Sequence, residues 1–334
     1  MNNGSRIAYL DALRLVSMAA VVVLHLSASG QTASAAGSAA WAVCWLYNFG
    51  ARFAVPVFVM ISGALFLDPG RKITMKILWK KHISNLLRVF LAWSFVYALA
   101  ESAKEYALFT ADYFLSVAQK TVTGHYHMWY LYLIGGLYLL TPLLREIAAR
   151  GKLFKAVMIA ALVLNPVTLI RTVPGSEIFA LLTGYVGYYF LGYWLHHKMP
   201  QERKMTGFMT LSVILYAAVA GFGILAGIRN GESPDALLNV RMPFTMCYSV
   251  AVFLFFKRRF ASSQCCAPMQ RLIPCALGIY LVHPMVNFVL RKIGLHGLTF
   301  HPLVSIPLCA VLVCVLSYGI ISVLRKIPAA KQFV

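Results

Sequence analysis

The chain has 334 residues, of which 60% are apolar and only 12% charged, with a mean hydropathy of +0.74. A typical soluble domain carries about 25% charged residues, and a single core of this length cannot hide so much apolar surface, so a soluble enzyme is excluded. The net charge of +20 is concentrated in short gaps between apolar runs, which is the mark of cytoplasmic loops and not of a nucleic-acid-binding surface.

Ten of these runs approach the roughly 20 residues that one helical crossing of a bilayer needs. In chain order the predicted spans are 8–29, 45–67, 83–103, 126–144, 153–171, 178–196, 207–227, 242–256, 272–290 and 303–324. The fold class is therefore an all-α polytopic membrane protein, a bundle of about ten transmembrane helices. The first run is no cleavable signal peptide, because Asp11 and Arg14 stand where an apolar core would begin. With the N-terminus cytoplasmic, twenty Lys and Arg fall on the cytoplasmic side and seven on the other, while Arg14, Arg52 and Arg88 fall within spans or at their edges. That asymmetry places both termini in the cytoplasm. The segment 104–125 is too mixed for a span and reads as an external amphipathic or re-entrant element. No long polar gap separates the runs, so 1–334 reads as a single membrane domain without an appended soluble one. Seven cysteines show no C-x-x-C and no metal-ligand spacing, so neither a disulfide framework nor a metal site is expected.

Ionisable groups inside spans cost at least about 2.5–3.5 kcal/mol each, so each one needs a reason. On the first helix Asp11 and Arg14 are three residues apart and share a face. His25 lies eleven residues beyond Arg14, only about 20° off alignment and about 16.5 Å further along the axis. These three residues form one polar stripe. A boundary ion pair with an interface histidine would give the same pattern. A second cluster, His125-Tyr126-His127-Met128-Trp129-Tyr130, opens the fourth span; its histidines suit ligand or general-base roles, and the cluster equally suits an aromatic belt. His283 sits mid-span in Gly278-Ile279-Tyr280-Leu281-Val282-His283-Pro284. Val55-Pro56-Val57-Phe58 with Ile61-Ser62-Gly63 marks a kinked helix with a close-packing site. The tyrosines of the sixth span alternate with Gly184, Gly187 and Gly192 and suit either sugar stacking or small-residue packing.

These segments resemble those of the acyltransferase family 3 integral membrane acyltransferases. The matching stretches are the first-helix D-x-x-R with ten residues between Arg14 and His25, VPVFVMISG (55–63), HMWYLYLIGGLYLLTPLLR (127–145), YYFLGYWL (188–195) and LGIYLVHP (277–284). Its compact form, without a fused soluble domain, is similar to the O-acetyltransferases of surface polysaccharides such as enterobacterial common antigen, capsule and exopolysaccharide. The resemblance implies acyl transfer, usually from acetyl-CoA, to a hydroxyl of a bacterial surface glycan or lipid-linked sugar at the cytoplasmic (inner) membrane. Carried over by position, His25 is the essential histidine and Arg14 its partner, with Asp11 holding Arg14. Many members carry R-x-x-R before the third span to hold CoA phosphates. Here that stretch offers Lys80, Lys81 and Arg88 at a different spacing. His127, Trp129, Tyr130 and His283 are the expected acceptor contacts. The expected partners are acyl-CoA, a glycan acceptor and the lipid bilayer, with no nucleic acid and with self-association left open. A transporter of glycan intermediates is the competing reading, which the lack of an internal repeat weakens.

Overall fold

The computed structural model describes residues 7–71, 73–167, 176–199, 205–261 and 266–333, without the side chains of 167 and 176–183. The described chain is helical, without strands. Its helices are α1 (Ala8–Ala33), α2 (Ala39–Gly50), α3 (Ala54–Phe66), α4 (Met75–Ile77), α5 (Ser84–Glu105), α6 (Ala111–Thr123) and α7 (Trp129–Ala149). They continue as α8 (Gly151–Val167), α9 (Ser176–Tyr193), α10 (Met205–Asn230), α11 (Pro243–Phe260), α12 (Ala267–Leu272), α13 (Ala276–Lys292) and α14 (Pro302–Leu324). Eight helical stretches among the described residues are long and apolar enough to cross a membrane. The other two expected spans fall on α8 and α9, and 168–171 of the fifth lies outside the described residues. The protein is an all-α, multi-pass membrane protein.

Two compact units divide the chain: Met1–Leu65 with Lys155–Ile320, and Phe66–Phe154 with Ile321–Val334. In the first unit α1 packs against α2, α11 and α13. Trp41 and Trp45, one helical turn apart on α2, lie over Gly227 and Gly223 of α10, where any Cβ would overlap the indole rings. The Trp45 indole N–H also donates to the Ala220 carbonyl at 3.2 Å. Small residues on one helix thus make the groove that large rings on the next one fill. Similarly, Gly63 of α3 meets the Tyr189 carbonyl of α9 and Gly192 meets the Met60 carbonyl, so these two backbones touch. The tyrosine–glycine face of the sixth expected span is accordingly a packing face, with Tyr188, Tyr189 and Tyr193 buried.

The second expected span is two helices, interrupted at Ala51–Phe53. Pro56 does not kink a helix as the sequence suggests; it stands in the first turn of α3, where its missing N–H costs nothing. The expected short span 242–256 extends to Phe260, because Lys257 is buried and its ammonium bonds the carbonyls of Leu195, His196 and Met199 at 2.5–3.3 Å. Those carbonyls are released by a π-turn over Trp194–Lys198.

In the second unit a π-turn over Leu78–Ile83 precedes α5, and Ser84 Oγ donates to the Trp79 carbonyl at 2.6 Å. Arg145 of α7 donates to the carbonyls of Phe66, Asp68 and Arg71 at 2.7–2.8 Å, tying down the loop after α3. The expected amphipathic element at 104–125 contains α6. Thr110 caps it by accepting the Tyr113 N–H. Gly124, at φ +74°, ends it against the Phe90 ring. Tyr113 and Val117 bury one face beside Ala98, while Phe114, Leu115 and Val122 lie exposed.

Candidate active site

The polar stripe of the first helix is intact, because α1 runs unbroken from Ala8 to Ala33. Asp11 is buried and Arg14 half-buried, and Arg14 Nη1 donates to Asp11 Oδ1 at 3.0 Å. A buried carboxylate needs such a partner, since desolvation otherwise penalises its charge. Two residues upstream, the buried Tyr9 hydroxyl bonds the Nδ1 of His196 and its ring meets Phe253 edge-on. His196 belongs to the π-turn that Lys257 holds. Tyr9, His196 and Lys257 escaped the sequence reading, since a tyrosine in a helix and basic residues at span ends look like interface features anywhere.

At the other end of the stripe, His25 meets His283. The two rings lie 5.2 Å apart between centroids and tilt by 31°. His283 is buried and its Nδ1 lies 2.6 Å from the Tyr280 carbonyl. The next residue explains this bond. A regular helix would give the Tyr280 carbonyl the N–H of residue 284, but that residue is Pro284, inside α13 and without an N–H. The carbonyl left over accepts from His283 instead. A carbonyl can only accept, so Nδ1 carries a proton, and in a neutral imidazole Nε2 is then the nitrogen with the lone pair. The structure thus brings together His25 and His283, residues that are 258 positions apart in sequence.

The remaining expected site residues belong to the second unit. His127 is buried, its Nδ1 is 2.6 Å from Nδ1 of His125, and His125 Nε2 lies 3.2 Å from Glu101 Oε1. The Tyr97 ring stacks on His125 at 4.2 Å and meets His127 edge-on at 5.3 Å. His125, Glu101 and Tyr97 therefore complete a cluster of which only its histidines were foreseen. Trp129 is exposed, as is Tyr126, and Tyr130 is half-buried. Lys80 and Lys81 are exposed on the π-turn; Arg88 is exposed one helical turn into α5, donating to the Ser84 carbonyl and to Asn85 Oδ1.

A base-capable histidine of α1 beside one of α13, and an arginine–carboxylate pair further along α1, suit proton transfer beside an anionic reactant. No curated protein and no solved structure matches the chain. The family model described as an acyltransferase domain, that of acyltransferase family 3, matches residues 7–322. That match covers nearly the whole chain and favours acyl transfer over transport, so this protein belongs to acyltransferase family 3.

Proposed function

We propose that this acyltransferase moves an acetyl group from cytoplasmic acetyl-CoA to a hydroxyl of a bacterial surface glycan or of its lipid-linked precursor, in the bacterial inner membrane. The observation that carries the reading is the contact of His25, on the helix that also bears Asp11 and Arg14, with His283 of α13. In the proposed step a neutral His25 takes the proton of the acceptor hydroxyl as its oxygen attacks the thioester carbonyl carbon. The carbon–sulfur bond breaks, the ester remains on the sugar, and the CoA thiolate leaves and recovers a proton as the free thiol. His283, oriented by the Tyr280 carbonyl, sets the position of the His25 ring. Arg14 is the cation nearest the donor end of the stripe, and Asp11 fixes its guanidinium. Lys80, Lys81 and Arg88 are the proposed phosphate contacts of the donor. His127, Trp129 and Tyr130 are the proposed acceptor contacts. Substitutions that raise KM for one substrate alone sort these two groups.

The test is transfer of label from acetyl-CoA to host glycan by membranes holding equal amounts of wild type and His25→Ala. The proposal expects a loss of about 10²–10⁴-fold, the range for removing a general base. Normal transfer by the variant would overturn it.

A further inference from the structure

Arg52 stands midway along the Ala39–Phe66 span, in the break between α2 and α3. A guanidinium at that depth is costly, and such residues pair or mark a substrate path. Arg52 is half-buried, its Nε is fully buried, and among the described residues no hydrogen-bond acceptor or carboxylate reaches its side chain. Tyr216, Asp235 and Tyr185 are near enough to act on its charge, yet none of them bonds its side chain directly. Asp235 Oδ1 accepts from Gln31 Nε2 at 3.1 Å and from Ser233 Oγ at 2.8 Å.

One helical turn before Arg52 is Asn48, only 2% exposed. Its Nδ2 donates to Gln31 Oε1 at 2.7 Å, while its Oδ1 is buried with no donor. A buried acceptor and a buried cationic donor thus stand unmatched one turn apart, and buried polar groups are otherwise almost always satisfied. Aromatic rings complete the surroundings. Tyr216 stacks on Tyr248 at 4.1 Å and meets Phe49 at 4.2 Å. Gln31, which anchors Asn48, lies six residues, about 9 Å of helix rise, beyond His25 on α1.

We propose that Asn48 and Arg52 recognise a carboxylated sugar of the glycan acceptor. The carboxylate supplies the directly bonded anion that Arg52 lacks, in the two-pronged geometry that a guanidinium favours. A ring hydroxyl supplies the donor that Asn48 Oδ1 lacks. The role of this ligand as acceptor rests on the proposed acyl transfer; the binding site does not.

The full chain, purified in detergent, is titrated with methyl glucuronoside, with methyl glucoside and with polyprenyl phosphate. Fluorescence of Trp41 and Trp45 is followed, as both share a core cluster with Phe49 and Tyr216. A saturable response to the glucuronoside alone is expected, weakened at least tenfold in Arg52→Gln and less in Arg52→Lys. Should Arg52→Gln not fold, Asn48→Asp serves, since it sets a carboxylate one turn from Arg52 at the loss of the bond to Gln31 Oε1; it is expected to abolish the response in protein that circular dichroism shows to be folded. An equal response to the neutral glucoside overturns the proposal, as does an unchanged titration in a folded Arg52→Gln or Asn48→Asp. An Arg52-dependent response to polyprenyl phosphate alone also overturns it, in favour of a lipid phosphate. Binding that depends on Arg52, without acetyl transfer by the wild type, would sink the enzymatic reading and leave the site standing.

Discussion

His283 and Pro284 act as one device. The proline frees the Tyr280 carbonyl and the histidine takes it, which fixes the imidazole beside His25. Pro284→Ala restores the helical N–H, which then competes for the same carbonyl. The expected outcome is a fold at least as stable, together with transfer slowed about tenfold, or about 1.4 kcal/mol in the barrier; thermal melting and labelled acetyl transfer on one preparation check both. The Asp11–Arg14–His25 stripe was legible because helical periodicity alone aligns positions 11, 14 and 25. The His25–His283 contact was not, since it depends on how α1 packs on α13, and no one-dimensional spacing encodes that. Arg52 and Asn48 were hidden for a related reason: which partners a polar residue within an expected span finds is not known until its neighbours are.

Among the elements, the contact of α3 with α9 is the most intolerant of added atoms. Gly63→Ala or Gly192→Ala drives a methyl group into a backbone carbonyl that cannot swing aside. A loss of about 3 kcal/mol or of the folded state is expected. Gly221→Ala in α10 meets nothing within 4 Å and is expected to gain about 0.5–1 kcal/mol; melting temperatures in detergent compare the three. Lys257→Met strands the carbonyls of the 194–199 turn and is expected to cost about 2 kcal/mol, with His196 and hence Tyr9 loosened. Apolar run length sufficed to place most spans. The break at Ala51–Phe53 and both π-turns were not legible, because they arise from side chains and carbonyls of distant segments that reward an irregular backbone.

For the whole molecule, the charge count predicts which side each loop faces, and Cys266 offers a direct check because it is exposed in a stretch expected in the cytoplasm. In a variant keeping only this cysteine, a membrane-impermeant maleimide is expected to label permeabilised cells and spare intact ones. Labelling of intact cells would invert the topology. The fold class was readable from composition, since so apolar a chain has no soluble alternative; the division into two units was not, because its first unit joins Met1–Leu65 to Lys155–Ile320 across the intervening chain. The clamps made by Lys257 and Arg145 carry a consequence for biogenesis. Orientation in the bilayer is decided while the nascent chain is inserted, when neither residue has yet found its carbonyls and both count as free positive charge. Once the helices assemble, the same two charges are spent inside the protein, each on three carbonyls. Each therefore serves first as an address read by the insertion machinery and later as a rivet. Removing either leaves nineteen other cations expected on the cytoplasmic side to set orientation, so the defect is expected to surface after insertion, as a correctly oriented chain that is cleared by quality-control proteolysis.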